Sequence, residues 1–146
     1  MPAGYSGTPT AKKLGIKPGL DVVVLGAPED YAALVDGLPD GFEWRTSLRG
    51  SADLVHVFVA KAAVLERRIG ELRAAIAPDG ALWVSWPKKA AKVPTDVTED
   101  VIRRIALANG LVDVKVCAVD STWSGLKLVI PVVQRRAARP LSTLNS

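Results

Sequence analysis

The stretch DVVVLGAPED, residues 21–30, decides the fold class of this chain. Its first half is a continuous run of apolar, mostly β-branched residues, which is typical of a strand buried on both faces of a parallel sheet. Its second half places Pro28 at a first helical position, with Glu29 and Asp30 in the first turn, and both features favour the start of a helix. A buried strand followed directly by a helix indicates an α/β fold.

Apolar residues recur with regular spacing further along the chain. Over residues 61–77 they fall at i, i+4, i+7 and i+11 and predict an amphipathic helix. DVTE (96–99) matches a capping box with Asp96 as the N-cap, and the helix that follows it ends at Gly110. Further strands are predicted at residues 42–48, 52–59, 81–86, 113–119 and 126–133.

This order of elements predicts a domain with one mixed sheet. We expect a mostly parallel sheet that ends in a C-terminal antiparallel hairpin and carries helices on both faces. The expected boundaries are an N-terminal arm over residues 1–20, the α/β domain over 21–133, and a basic, disordered tail over 134–146.

The composition is that of a globular protein, since 49% hydrophobic and 23% charged residues are ordinary values. No apolar run reaches the roughly 20 residues of a membrane span, and we find no secretory signal pattern. Cys117 is the only cysteine, so no intramolecular disulfide forms and nothing indicates an oxidising compartment. A cytoplasmic location is expected.

The net charge of +4 depends on the predicted tail. Arg135, Arg136 and Arg139 lie in it, and +4 less these three charges leaves +1. The tail therefore predicts at most a weak, salt-sensitive affinity for nucleic acid or another polyanion.

Three passages resemble the class I S-adenosylmethionine (SAM)-dependent methyltransferases. LGIKPGLDVVVLGAP is similar to their lead into the first strand, LRAAIAPDGALWVSW to their helix-PxG-strand passage, and ANGLVDVKV to the entry of their closing hairpin. This resemblance covers about residues 14–133 and implies a shortened, Rossmann-like, class I methyltransferase-like sheet. The chain is also similar to an uncharacterised bacterial family of unknown function, through YSGTP, AKKLGIKPG, WVSWPKKA, TDVTEDVIR, LVDVKVCAVD and WSGLKLV.

The residues that would hold SAM depart from the family pattern. Gly26 fits the first glycine of the cofactor turn, but Pro28 and Asp30 stand where later glycines would be. Val24 replaces the usual acidic residue of the first strand, and Arg45 lies where an acid would bind the ribose. A helix and a strand of the full-length family are also missing after the second predicted strand. We therefore expect no cofactor, regard SAM as possible but disfavoured, and lean against an enzyme.

In open α/β sheets, ligands lie beyond the carboxyl ends of the parallel strands. That rule predicts a small-ligand site in which Lys61, Lys88 and Lys89 hold an anion. The alternative is that Trp83 and Trp86 pack on opposite faces of the sheet while the lysines are only solvated. The candidate residues are Gly26, Ala27, Pro28, Tyr31, Lys61, Trp86, Lys88 and Lys89.

A metal site is not expected, because metal ligands must converge and the chain has one histidine and one cysteine. His56 alternates with apolar residues in a predicted strand and is interpreted as a core residue. Cys117 is interpreted as a buried, inert thiol. Trp123 lies in a polar hairpin loop, where it either folds back on the sheet or forms a partner surface.

Three functions stay open at this point. The first is a degenerate methyltransferase-like domain that binds a small ligand or a protein partner without catalysis. The second is a compact SAM-dependent methyltransferase that uses Lys61, Lys88 and Lys89 around an anionic substrate. The third is a polyanion-associated protein that acts through the tail with Lys12, Lys13 and Lys17.

Overall fold

A computed structural model describes residues 8–28 and 30–135. Its centre is a five-stranded sheet of order β1-β2-β3-β5-β4. β1 pairs with β2 and β2 with β3 in parallel, whereas β5 is antiparallel to both β3 and β4. The strands are β1 (Val22–Leu25), β2 (Ala52–Phe58), β3 (Ile76–Pro87), β4 (Val112–Ala118) and β5 (Trp123–Val129).

Helices cover both faces of this sheet, as predicted, but the two layers differ in size. One face carries the long helices and forms the first core around Leu65, Leu82 and Leu128. The other face carries two short helices and forms the second core around Leu14, Tyr31 and Trp83. The helices are α1 (Thr10–Leu14), α2 (Tyr31–Leu34), α3 (Ala62–Ala75) and α4 (Glu99–Ala108), and Lys89–Ala91 forms a 3₁₀ turn.

The predicted strand at 42–48 is wrong. Only Arg45 bridges β1, through hydrogen bonds of 2.8 Å from Val24 N–H to the Arg45 carbonyl and from Arg45 N–H to the Val22 carbonyl. The guanidinium of Arg45 then donates to the carbonyls of Arg49 and Ser51. The segment therefore turns back at once, and pairing stops after one residue.

The helix predicted after Pro28 is shorter than expected and begins later. Asp30 is its N-cap, with its carboxylate accepting from the N–H of Ala32 at 3.1 Å. Val35 is already extended, and Gly37 follows with φ +85°. α2 therefore ends where Val35 leaves the helical conformation, before a second turn forms.

Two other expectations also change in detail. Thr98 is the N-cap of α4, because its hydroxyl accepts from the N–H of Val101 at 3.2 Å, so Asp96 does not have that role. β3 begins directly after α3, so residues 78–80 belong to the strand. A Cβ at Gly80 would lie 2.8 Å from the carbonyl oxygen of Asp53, which explains why glycine stands where β3 meets β2.

The described part of the chain ends in one helical turn over residues 132–135. Gln134 accepts from Arg73 at 2.8 Å, and Arg135 donates to the carbonyl of Ile130 at 2.6 Å. The rest of the predicted tail, residues 136–146, and the first part of the predicted arm, residues 1–7, lie outside the described residues. None of the described helices is long and apolar enough to cross a membrane.

Candidate functional site

The three parallel strands end side by side and form what we call the carboxyl edge, residues 26–28, 59–61 and 87–98. Gly26 follows β1 directly with φ +71°, a left-handed conformation that favours glycine. A Cβ there would lie 3.0 Å from the carbonyl oxygen of Phe58 at the end of β2. Two features of this turn therefore require glycine at position 26: the left-handed backbone angle and the close approach of β2.

Beneath the carboxyl edge runs a buried polar chain made of Tyr31, His56 and Ser85. The Tyr31 hydroxyl lies 2.6 Å from Nδ1 of His56, and Nε2 of His56 lies 2.6 Å from Oγ of Ser85. These two hydrogen bonds join α2 to β2 and β3, and all three side chains are buried. It ties the four-residue helix α2, which is too short to be stable alone, to the middle of the sheet.

Aromatic rings enclose the buried polar chain. Phe58 stacks on His56 with ring centroids 4.4 Å apart, and Tyr31 contacts Trp44 at 5.2 Å. Trp123 lies edge-on to Phe58 at 5.2 Å. Trp123 therefore folds back on the sheet, which was one of its two predicted positions.

Burial favours the neutral forms of His56 and Tyr31 in the buried polar chain. It lowers the pKa of His56 to about 3 and raises the pKa of Tyr31 above its ordinary value. A neutral imidazole has one protonated nitrogen, so it donates to one neighbour and accepts from the other. His56 is thus a hydrogen-bonded core residue, which confirms its interpretation from the sequence.

The segment 92–98, which we call the strap, crosses from β3 to the end of β2. The hydroxyl of Thr95 donates to the carbonyl of Ala60 at 2.6 Å, and the carboxylate of Asp96 accepts from the N–H of Ala62 at 2.8 Å. Ala62 is the first residue of α3, so Asp96 caps α3 from a distant part of the chain. A carboxylate therefore already occupies the positive end of that helix.

The candidate residues separate into exposed and buried groups. Gly26, Pro28, Lys61 and Lys89 are exposed, whereas Ala27 and Lys88 are partly buried. Tyr31 lies in the second core.

The two tryptophans of β3 lie on opposite faces of the sheet. Trp86 packs in the first core, whereas Trp83 packs in the second and donates from Nε1 to the carbonyl of Leu14 at 2.9 Å. Lys88 is held by its backbone, whose N–H donates to the carbonyl of Thr122 at 2.7 Å.

Two shallow pockets lie away from the carboxyl edge. One of about 340 Å³ lies near the start of β1 between Leu20 and Phe42, and one of about 380 Å³ lies between α3 and α4. Over residues 8–28 and 30–135, no group of three or more His, Cys, Asp and Glu side chains could hold a metal ion. The thiol of Cys117 is partly buried, and burial raises its pKa while Lys13 and Lys115 act in the opposite direction.

Comparison with solved structures identifies the fold. The chain superposes on magnesium protoporphyrin IX methyltransferase from Synechocystis PCC 6803 with bound SAH, with a TM-score of 0.53 and 16% identity over 83% of this chain and 78% of that one. It has a class I methyltransferase-like Rossmann fold. The ribosomal protein L11 methylase of Lactobacillus delbrueckii subsp. bulgaricus matches with a TM-score of 0.50 and 16% identity, over 83% and 74% of the two chains.

LepI in complex with SAM also matches this methyltransferase-like chain, with a TM-score of 0.53 and 11% identity, over 83% of this chain and 39% of LepI. No family model and no curated protein matches the sequence. The fold is therefore established from structure, and similarity to an uncharacterised bacterial family stays a prediction.

These comparisons correct one expectation. The departures at Pro28, Asp30 and Arg45 led us to expect no cofactor, yet structures with this fold were solved with SAM or SAH bound. The expectation of no cofactor is therefore wrong, and the departures at the turn are not sufficient grounds to exclude SAM.

Proposed function

We propose that this chain binds SAM at its carboxyl edge and acts as a compact methyltransferase. The observation that carries the proposal is the turn at Gly26, which follows β1 in a left-handed conformation on a methyltransferase-like sheet. Gly26 and Pro28 are exposed, so the backbone of this turn is open to a ligand. A glycine turn after the first strand lets a cofactor approach the backbone closely.

The residues of the turn fit SAM better than they fit a phosphate-bearing cofactor. Asp30 caps α2 and Asp96 caps α3, so both helix starts at the carboxyl edge already hold a carboxylate. An anionic group would be repelled there, whereas SAM carries a positive sulfonium and a positive amino group. The ribose position fits less well, since Arg45 is paired with Asp21 at 3.0 Å and offers no acid to the ribose hydroxyls.

When bound, SAM supplies an activated methyl group. The backbone of Gly26 and Ala27 would hold the cofactor, and Lys61, Lys88 and Lys89 would hold an anionic substrate beside it. Lys61 and Lys89 are exposed on the neighbouring strand ends, which supports a substrate at the same edge. Tyr31 and Trp86 are buried and would support this edge from below.

A second candidate is a ligand-binding module with this fold that performs no transfer. The shortened sheet favours it, because one bridge at Arg45 stands in place of a full strand beside β1. Binding of SAM without formation of SAH in the presence of candidate substrates would support this second candidate over the first.

The experiment is calorimetric titration of the purified chain with SAM and with SAH. We compare the native chain with Gly26→Ala and with the control Gly50→Ala. Both glycines have left-handed φ angles, +71° and +63°, but a Cβ at Gly50 meets nothing within 4 Å. We expect saturable binding by the native chain and by Gly50→Ala, and at least a ten-fold loss of affinity in Gly26→Ala.

Two results would count against the proposal. Native chain that binds neither SAM nor SAH would overturn it outright. An equal loss of SAM affinity in both glycine variants would mean that backbone strain in general causes the effect. The assignment of the Gly26 turn would then be wrong. Circular dichroism of each variant shows whether it remains folded.

A further inference from the structure

The β4–β5 hairpin presents lysines on the face that α1 and α2 leave uncovered. Lys115 and Lys127 are directly opposite each other across the two strands. Lys127 is also opposite Trp83 of β3, and Nζ of Lys115 lies 5.9 Å from the centroid of the Trp83 ring. Like charges at directly opposed positions destabilise a sheet, so this arrangement has a cost that folding alone does not explain.

Two more basic side chains join this pair. Lys13, in the last turn of α1, acts together with Lys115 on the thiol of Cys117. Burial lowers the pKa of Lys127, and Lys115 and Arg135 lower it further. Lys115 links the two sets, because it is paired with Lys127 across the hairpin and also acts on Cys117 together with Lys13. We call Lys13, Lys115, Lys127 and Arg135 the basic patch.

Within the part of the chain that the structure describes, no carboxylate is paired with the basic patch. None of its four members forms an ion pair with a carboxylate of residues 8–28 or 30–135. Outside the described residues, the segments 1–7 and 136–146 contain neither Asp nor Glu, and Glu29 is the one acidic side chain. A partly buried, unpaired ammonium such as that of Lys127 gains most from an anion supplied by another molecule.

We propose that the basic patch is a docking surface for the phosphate backbone of a single-stranded nucleic acid. Its four charges are spread over α1, the hairpin and the turn after β5, so they match a linear polyanion better than a single small anion. The sequence after Arg135 continues with Arg136 and Arg139, which extends the same charge along the chain. This surface lies on the folded body and is separate from the carboxyl edge.

The experiment measures binding of a fluorescein-labelled, mixed-sequence single-stranded 20-mer by fluorescence anisotropy, with the full chain at several salt concentrations between 50 and 200 mM. Each phosphate neutralised contributes about −0.7 to the slope of log affinity against log salt for single strands. Four patch contacts therefore predict a slope of about −3 or steeper.

The variant is Lys115→Gln/Lys127→Gln, and its matched control is Arg67→Gln/Arg104→Gln. The control removes the same charge from exposed positions on α3 and α4, on the opposite face of the sheet. We expect the patch variant to lose affinity at least ten-fold at 50 mM salt and to reduce the slope by about 1.4, with the control within two-fold of the native chain. The patch variant should melt no lower than the native chain, because it relieves the lysine–lysine repulsion.

Several outcomes would overturn the proposal. Equal losses in patch and control variants would mean that net charge alone drives binding. Full binding in the patch variant, combined with loss on deletion of residues 136–146, would assign the interaction to the tail. Absence of binding at 50 mM salt, or binding to phosphatidylserine vesicles in its place, would also contradict a nucleic-acid partner.

Discussion

His56 is the single histidine of the chain, and both of its ring nitrogens are used inside the sheet. Its fully buried position explains why its charged form is so disfavoured and its pKa falls to about 3. Its position among apolar residues, on the same strand face as Leu54 and Phe58, predicted a core position for it. The partners could not be predicted, because Tyr31 and Ser85 are brought to it by the parallel pairing of β2 with β3 and by the docking of α2.

We predict that folding stability falls as pH is lowered from 7 to 5. Unfolded chain binds a proton on His56 below its ordinary pKa of 6.5, whereas the folded chain does not until about pH 3. The unfolded state therefore takes up more protons across this window, and the free energy of unfolding decreases by about 2 kcal/mol between pH 7 and pH 5. Urea unfolding at pH 7, 6 and 5 measures this change.

The matched variant is His56→Gln, whose amide can donate and accept but does not titrate. It should be less stable than the native chain at pH 7 and should lose less stability on going to pH 5. Carboxylates contribute equally to both chains, so the difference between the two pH profiles isolates His56. Parallel profiles would show that His56 titrates normally in the folded chain.

At the scale of elements, α3 and α4 depend on caps from different parts of the chain. Thr98 caps α4 from the adjacent position, whereas Asp96 of the strap caps α3 from 34 residues away. A local cap stabilises its own helix, but the Asp96 cap also fixes the strap over the end of β2. We therefore expect the two caps to protect different backbone amides from hydrogen exchange.

We predict that Asp96→Ala and Thr98→Ala each lower the free energy of unfolding by about 1 kcal/mol, the usual cost of losing an N-cap. Only Asp96→Ala should speed hydrogen exchange at the amide of Ala62 and in the strap. Hydrogen exchange followed by NMR makes the comparison, with Thr98→Ala as the control. Unchanged exchange at Ala62 in Asp96→Ala would show that the strap is held by Thr95 alone.

Elements with a continuous or periodic apolar run were predictable from the sequence, including the four-residue strand β1, and elements without such a run were not. α3, β2 and the closing hairpin follow from periodic or continuous apolar runs, and the structure places them close to the predicted ranges. The strand predicted around Arg45 has a suitable residue pattern but lacks pairing beyond one bridge, since its end is set by the side chain of Arg45. At the carboxyl edge, Gly26 was recognised from its position, whereas the strap was not because Asp96 fits a local capping box equally well.

For the whole molecule, the unequal helical layers set what the surface can do. α3 and α4, with 14 and 10 residues, cover the first core, whereas α1 and α2, with 5 and 4, leave part of the other face to the hairpin. The carboxyl edge and the basic patch are therefore separate surfaces. A ligand at one leaves the other available.

The structure also predicts how truncation affects stability. Deleting residues 136–146 should leave the melting temperature unchanged, whereas deleting 134–146 removes the contacts of Gln134 with Arg73 and of Arg135 with Ile130. These contacts are partly exposed, so we expect the longer deletion to lower the melting temperature by no more than about 3 °C. Thermal denaturation followed by circular dichroism compares both truncations with the full chain. A clear drop in melting temperature for the shorter deletion would show that residues beyond 135 pack on the body.

The two edge strands of the sheet, β1 and β4, have features that hinder pairing with a further strand. β1 has only four residues, and Arg45 already occupies its free side through two backbone hydrogen bonds. β4 has a register irregularity between Asp113 and Lys115, and it presents a lysine there. Short length, irregular register and lysine each hinder the addition of a further strand. We therefore expect the edges of this sheet to resist amyloid-type polymerisation, even though Val114 and Val116 of β4 are exposed to water.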